Sequence, residues 1–164
     1  MLPFDILRKD PSEWGTLDLS GFPSRNSKEI REPEIFAFAR ELREKYQRVG
    51  AIGFCYTGWA VFRLVARTIG GLVDCISTAH PSWLTEEEIE GVGVPVQIPA
   101  PKTDPVFTPE LKDLCHRVVP YDFQHFPALE HGFAVRDDRE NDAELKGLVR
   151  AKNAAVYFLN QYLH

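Results

Sequence analysis

"RVGAIGFCYTG", residues 48–58, is the stretch of sequence that decides the fold. It begins with a short apolar run ended by glycine, which is typical of a strand buried on both faces. Cys55 follows in a turn flanked by glycines, and residues 59–69 then return to helical spacing until Gly70. The stretch therefore predicts a strand, a tight turn that carries a cysteine, and a helix.

The same alternation continues along the rest of the chain. Further strands are predicted at residues 72–80, 94–101 and 118–126. Further helices are predicted at residues 33–46, 85–92, 108–117 and 142–164. Strands that alternate with helices indicate a parallel sheet with right-handed crossovers. We expect an α/β fold of about four mostly parallel strands flanked by helices, in a single domain over residues 1–164 whose N-terminal segment, residues 1–32, is irregular.

The composition excludes several classes of protein. The 164 residues are 44% hydrophobic and 26% charged, as in an ordinary globular domain. The formal net charge is -5 and the basic residues alternate with acids, which argues against binding to nucleic acid. No apolar run approaches the roughly 20 residues of a membrane span, and the N-terminus has no leader pattern. We therefore expect a cytoplasmic protein that binds neither nucleic acid nor membrane.

The cysteines and histidines do not have the spacing of a metal site. Cys55, Cys75 and Cys115 are odd in number and too far apart in sequence for a CxxC pair. The five histidines likewise lack the short spacing of zinc ligands. We therefore expect no metal and no cofactor, so that any chemistry comes from the side chains.

Reactive residues follow each predicted strand in turn: Cys55, His80, Asp104 and His131. In open parallel sheets, ligands gather at the carboxyl ends of the strands. Each residue alone has an ordinary explanation, as a packing cysteine, a turn aspartate or a surface histidine. Three of them, however, come in the order nucleophile, acid, histidine, which is the chain order of an α/β-hydrolase triad.

Three segments carry a resemblance to a known family. They are "GFCYTGWAVFRL" at 53–64, "APKTDPVFTPEL" at 100–111 and "FPALEHGFAVRDDR" at 126–139. Together and in this order they resemble the dienelactone hydrolase family of α/β-hydrolases. Members of that family have G-[FY]-C-x-G-G at the nucleophile, D-P-x-F-T around the acid and H-G-F near the histidine.

The resemblance implies a site and a substrate class. Cys55 matches the nucleophile, Asp104 the acid and His131 the base, and the backbone N–H of Tyr56 matches one oxyanion donor. The implied substrate is a small ester or lactone. The physical reading agrees, because a helix start and a nearby imidazole favour a thiolate, and a carboxylate orients the imidazole.

Three other residues have two interpretations each. His80 either contacts the substrate or has a structural role. Trp59, together with Trp83, either walls an aromatic substrate pocket or packs in the core. Arg136 either holds a substrate carboxylate or is a solvated arginine among acids.

The sequence departs from the family in two places. Thr57 stands where the family has glycine, and a β-branched residue has to be accommodated beside the thiol. Met1 also begins after the family's first strands and the loop that supplies a second oxyanion N–H. We therefore expect a shortened fold in which residues 50–55 form an exposed apolar edge. Such an edge predicts a homodimer, a swapped assembly, or a fragment completed by another chain.

Two alternative functions compete with a cysteine hydrolase. One is a non-catalytic, shortened relative that binds a small molecule or a partner protein. The other is a class I glutamine amidotransferase, which also places a cysteine on such a turn. That family expects an acid two residues after the histidine, whereas Phe133 occupies this position after His131.

Overall fold

A four-stranded sheet forms the centre of the fold in this computed structural model, which describes residues 21–118, 121–136 and 140–164. The strands are β1 Gly50–Phe54, β2 Cys75–Ala79, β3 Val96–Pro101 and β4 Tyr121–Phe126. All neighbouring strands are parallel, and their order in the sheet follows their order in the chain. This confirms the predicted α/β fold of four parallel strands flanked by helices.

Several of the described helices begin at a capping residue or a proline. They are α1 Phe22–Arg25, α2 Lys28–Lys45, α3 Gly58–Leu64, α4 Glu86–Glu90, α5 Pro109–Val118 and α6 Asp142–Leu163. Thr85 and Glu88 form a reciprocal capping box before α4. The side chain of Asn141 accepts hydrogen bonds from two backbone N–H groups at the start of α6.

The N-terminal part differs from the prediction of an irregular segment over residues 1–32. The structure describes this segment from residue 21, and there α1 and the first turns of α2 are helical. Residues 28–32 are mostly strong helix formers, and they carry α2 back past Pro33, which lies inside the helix. Residues 1–20 lie outside the described part. The chain divides into two compact units, Met1–Glu34 and Ile35–His164, and the single domain stays a prediction.

Helix α3 also ends earlier than the sequence predicts, at Leu64 instead of near residue 69. The backbone beyond it finds partners in another segment. The N–H of Arg67 donates to the carbonyl of Gly91 at 2.8 Å, and the N–H of Gly93 donates to the carbonyl of Val65 at 3.1 Å. These bonds pair the segment after α3 with residues 91–93, and the chain passes through further turns up to Gly70, whose φ is +80°.

The sheet is buried at its centre and exposed at β1. Every residue of β2 and β3 is buried. Strand β1 pairs with β2 on one side and with no described strand on the other. Ile52 in its middle is 47% exposed. Within the described residues, β1 is therefore an apolar edge strand, as the sequence predicts.

A buried polar chain links the sheet to α6. Ser77 donates to Gln97 at 2.8 Å. The amide nitrogen of Gln97 donates in turn to Asp122 at 2.8 Å and to the carbonyl of Ala154 at 3.1 Å. These hydrogen bonds satisfy polar groups that would otherwise be costly to bury.

Among the described helices, none is long and apolar enough to cross a membrane.

Candidate active site

Cys55 lies on a sharp turn between β1 and α3. Its φ is +46°, a left-handed conformation that is uncommon for a residue with a side chain. The turn needs glycine on both sides of the cysteine. A Cβ on Gly53 would lie 2.8 Å from the carbonyl oxygen of Thr57, and one on Gly58 would lie 2.4 Å from the Cβ of Pro81. The two glycines therefore allow the close approach that places the thiol at the end of the strand.

Thr57 closes this turn and does not distort it. Its φ of -76° and ψ of 0° are ordinary for a residue with a side chain, so glycine is not required there. Its hydroxyl accepts a hydrogen bond from the N–H of Phe54 at 2.7 Å and donates to the carbonyl of Phe54 at 2.9 Å. The departure from the family pattern is thus accommodated without backbone strain at Thr57.

Asp104 holds His131 in one orientation. Nδ1 of His131 lies 2.9 Å from Oδ2 and 3.0 Å from Oδ1 of the carboxylate. Oδ1 also accepts hydrogen bonds from the N–H groups of Val106 and Phe107. Burial alone would raise the pKa of Asp104, but the hydrogen bonds from His131 and from the two N–H groups outweigh it and lower that pKa. The carboxylate is therefore charged beside the imidazole.

Lys112 supports the loop that carries Asp104. Its ammonium group donates to the carbonyls of Pro101 at 3.0 Å and Lys102 at 3.1 Å. Burial lowers the pKa of Lys112, and the nearby charge of Asp104 opposes that shift. No role was predicted for this residue from the sequence. Lys112 lies three residues before Cys115, and this spacing places both residues on the core face of the predicted helix.

His80 is at the centre of the site, in the loop after β2. Its Nδ1 lies 3.2 Å from Sγ of Cys55, and its Nε2 accepts a hydrogen bond from the N–H of Ala134 at 3.3 Å. Two residues on, the N–H of Ser82 donates to the carbonyl of Cys55 at 2.8 Å. The loop therefore contacts both the backbone and the sulfur of the cysteine.

This loop has unusual backbone angles. His80 and Trp83 have φ values of +39° and +61°, although neither is glycine. Such conformations cost about 1–3 kcal/mol each and cluster at functional sites. The sequence has no local signal for them, because both residues have side chains that normally avoid this region.

Cys55, His80 and His131 form one compact cluster. The sulfur and one ring nitrogen of each histidine lie within 4.8 Å of one another. Thiolate and imidazole are the kinds of donor that bind zinc. A neutral His80 could offer Nδ1 to a metal only with its proton on Nε2, and Nε2 already accepts the N–H of Ala134. The donor set fits a cation poorly, and a site without metal stays a prediction.

The remaining predicted residues have different surroundings. Trp59 is fully buried, and its ring contacts that of Tyr56 edge to face at 5.9 Å. The indole is therefore packed in the core of this structure, and a part for Trp59 in a substrate pocket stays a prediction. Trp83 packs on the other side of Tyr56 at 5.0 Å and is 38% exposed. The N–H of Tyr56 as an oxyanion donor stays a prediction.

Arg136 braces the loop that carries His131. Its guanidinium donates to the carbonyl oxygen of His131 and lies 3.6 Å from the carboxylate of Glu144. A Cβ on Gly132, whose φ is +92°, would lie 3.2 Å from the same guanidinium. These contacts give Arg136 a role in positioning the loop, and binding of a substrate carboxylate by it stays a prediction.

The fold agrees with the comparisons with known proteins. The model of the dienelactone hydrolase family matches residues 22–163, which is most of the chain. The chain belongs to the dienelactone hydrolase family. The family predicted from the three sequence segments is therefore confirmed.

Two curated hydrolases match this chain over most of its length. It is 33% identical over 139 residues to the hydrolase pyvD of Aspergillus violaceofuscus, and the alignment covers 80% of this chain and 56% of that protein. It is 32% identical over 143 residues to the hydrolase tropI of Talaromyces stipitatus, which covers 82% of this chain and 55% of that protein. The chain thus spans about half the length of these relatives.

Solved structures show the same fold. A dienelactone hydrolase-like promiscuous phosphotriesterase from metagenomic libraries superposes with a TM-score of 0.66 at 18% identity, covering 94% of this chain and 70% of that chain. A puromycin-hydrolysing peptidase of Mycobacterium tuberculosis superposes with a TM-score of 0.62 at 14% identity, covering 78% and 24%. At these identities the likeness concerns the fold alone.

Proposed function

We propose that this chain hydrolyses small esters or lactones, with Cys55 as nucleophile, His131 as proton carrier and Asp104 as the acid that orients it. The supporting observation is the hydrogen bond between Asp104 and Nδ1 of His131 at 2.9 Å. Because Nδ1 is occupied, Nε2 is the nitrogen that serves the thiol, whose sulfur lies within 4.8 Å of a ring nitrogen of His131. A nucleophile, a base and an orienting acid in this geometry are the requirements of covalent catalysis.

The imidazole of His131 is charged before substrate binds. The hydrogen bond to Asp104, and then the hydrogen bond to Cys55, raise the pKa of His131 to about 9, although burial opposes the shift. At neutral pH the ring is therefore an imidazolium beside the sulfur. Cys55 attacks as a thiolate paired with this ring, because the thiolate is the nucleophilic form of cysteine.

Acylation follows from this arrangement. The thiolate of Cys55 attacks the carbonyl carbon and forms a C–S bond, while the carbonyl oxygen takes the negative charge. The N–H of Tyr56 is the proposed donor to that oxygen. The intermediate collapses as the C–O bond to the leaving group breaks and Nε2 of His131 gives its proton to the departing alkoxide. A thioester and a neutral imidazole remain.

Deacylation returns the site to its starting state. Water gives a proton to Nε2 of His131 as its oxygen attacks the thioester carbon. The C–S bond then breaks, which restores the thiolate of Cys55 and releases a carboxylic acid. With a lactone, the alcohol and the acid formed in the two steps belong to one hydroxy acid.

The first experiment is rapid mixing with a chromogenic short-chain ester, such as p-nitrophenyl acetate. We expect a burst of nitrophenolate equal to the enzyme concentration and an acyl group on the peptide that carries Cys55, seen by mass spectrometry. Cys75 and Cys115 are internal controls, since burial raises the pKa of these thiols to about 11 and about 12. Turnover without acyl transfer to Cys55 would refute the covalent mechanism.

A non-catalytic relative is the second candidate function. Such a protein would bind a small molecule or a partner protein at the same cluster. It would react with iodoacetamide at Cys55 but would show neither a burst nor turnover. Removal of a single oxyanion donor lowers rates by about 10² to 10³, so an assay over this range separates a weak enzyme from a binding protein.

We also propose that β1 pairs with β1 of a second copy. A two-fold axis makes two such edges antiparallel and closes the assembly as a dimer. The exposed Ile52 lies in this edge. Light scattering after size exclusion should give a dimer, and Ile52→Lys should give a monomer because a charge blocks edge pairing. Val156→Lys is the control, as Val156 is 52% exposed on α6. A wild-type monomer at micromolar concentration would contradict the pairing.

A further inference from the structure

His80 has partners that fix the position of its proton. Its Nε2 lies 3.3 Å from the backbone nitrogen of Ala134, and a backbone N–H can only donate. Nε2 is therefore the acceptor in this hydrogen bond and carries no proton. A neutral imidazole has one N–H, so that proton is on Nδ1.

The protonated nitrogen faces the nucleophile. Nδ1 of His80 lies 3.2 Å from Sγ of Cys55, within the distance of a hydrogen bond to sulfur. We propose that His80 is a further catalytic residue, which donates Nδ1–H to the sulfur of Cys55 and stabilises its thiolate. This inference rests on the proposed role of Cys55 as nucleophile.

The surroundings of His80 keep it neutral. Burial, and then the positive charge of His131, lower the pKa of His80 to about 3. Asp104 acts in the opposite direction, and Arg136 acts in the same direction as His131. His80 therefore does not compete with His131 for the proton of the thiol. The sulfur has one charged donor and one neutral donor.

The ring is also held in place by its surroundings. The side chain of His80 is fully buried, and the backbone N–H of this residue donates to the carbonyl of Pro99 at 3.0 Å. The ring of Phe133 packs on it edge to face at 5.3 Å, and the ring of Phe54 lies 6.4 Å away. A donor fixed in this way needs no reorganisation when charge develops on the sulfur.

The donor has its largest effect when sulfur is the leaving group. Stabilisation of the thiolate helps the C–S bond of the thioester to break in deacylation. The same donor also favours attack by the thiolate form of Cys55 over its thiol form. Loss of a hydrogen bond to a charged group is expected to change the rate by roughly tenfold or more.

Two substitutions separate this role from packing. In His80→Asn the amide nitrogen takes the place of Nδ1 and keeps a donor to the sulfur. In His80→Gln the amide oxygen takes the place of Nε2. This variant still accepts the N–H of Ala134 but has no donor to the sulfur of Cys55. We expect iodoacetamide to alkylate Cys55 at pH 6 about tenfold more slowly in the Gln variant than in wild type, and within about threefold of wild type in the Asn variant. Equal rates in the two variants would overturn the proposal.

A measurement on the wild-type protein covers the case in which a variant does not fold. Long-range proton–nitrogen NMR spectra report which ring nitrogen of His80 is protonated. We expect the Nδ1–H form from pH 5 to pH 8, and an Nε2–H form would overturn the proposal. Neither alkylation nor NMR requires turnover. If the alkylation rates of the Asn and Gln variants differ as expected but no ester is cleaved, the proposed hydrolase function fails while the donor role of His80 stands.

Discussion

Cys55→Ala should lower kcat for a chromogenic ester by a factor of about 10⁴ or more, because loss of a nucleophile removes the covalent route. The side chain of Cys55 is half-buried at the turn, so the substitution leaves the core unchanged. The matched control is Cys115→Ala, which removes a buried thiol and should keep the wild-type rate. Steady-state rates and circular dichroism of both variants provide the measurement.

The serine variant sharpens this test. Cys55→Ser keeps a hydroxyl where the thiol lies, but a hydroxyl is not ionised by His131 at neutral pH. We therefore expect its rate to lie close to that of the alanine variant. A Cys55→Ala variant as active as the wild type would show that hydrolysis, if it occurs, uses another group.

Asp104→Asn should lower kcat by about 10² to 10⁴ while the fold is retained. The asparagine oxygen can still accept the N–H groups of Val106 and Phe107. Its amide nitrogen donates where the carboxylate accepts, so Nδ1 of His131 loses its proton to Nε2 and the ring is held in the wrong tautomer.

The pH profile gives this variant a second readout. In wild type, cleavage of an alkyl ester should fail as the pH rises through about 9, where His131 loses the proton that it gives to the leaving group. Without the carboxylate of Asp104, the pKa of His131 falls towards its ordinary value, and the failure should move to lower pH. Asp113→Asn, on the exposed side of α5, should leave rate and profile unchanged. An unchanged profile in Asp104→Asn would contradict the role of the acid.

The location of the site could be predicted from the sequence because it depends on topology. Cys55, Asp104 and His131 follow three strands, and parallel strands bring their carboxyl ends to one edge of the sheet. The alternation of apolar strands and amphipathic helices indicated that sheet directly. The order of the three residues and their flanking segments then identified the family before any distance was known.

The rest depends on contacts between distant segments, which leave no local pattern. His80 and Ala134 are 54 residues apart, and only the folded chain shows that one N–H fixes the proton of the ring. The early end of α3 likewise depends on backbone pairing of residues 65–67 with residues 91–93. A β-branched residue at position 57 predicts crowding beside the thiol. The hydrogen bonds between the Thr57 hydroxyl and the backbone of Phe54 depend on the folded turn, so the sequence alone does not indicate them.

The two histidines beside the sulfur also link protein stability to proton concentration. Between about pH 6.5 and about 3 the unfolded chain binds a proton on His80 that the folded chain does not, so the free energy of unfolding falls with acidification. His131 acts in the opposite sense, because the folded chain holds its proton up to about pH 9. Its stabilising contribution is complete below about pH 6.5 and is lost as the pH rises through about 9. The combined contribution of the two rings is thus greatest near neutrality, and both acidification and alkalinisation carry a thermodynamic penalty set within the site itself.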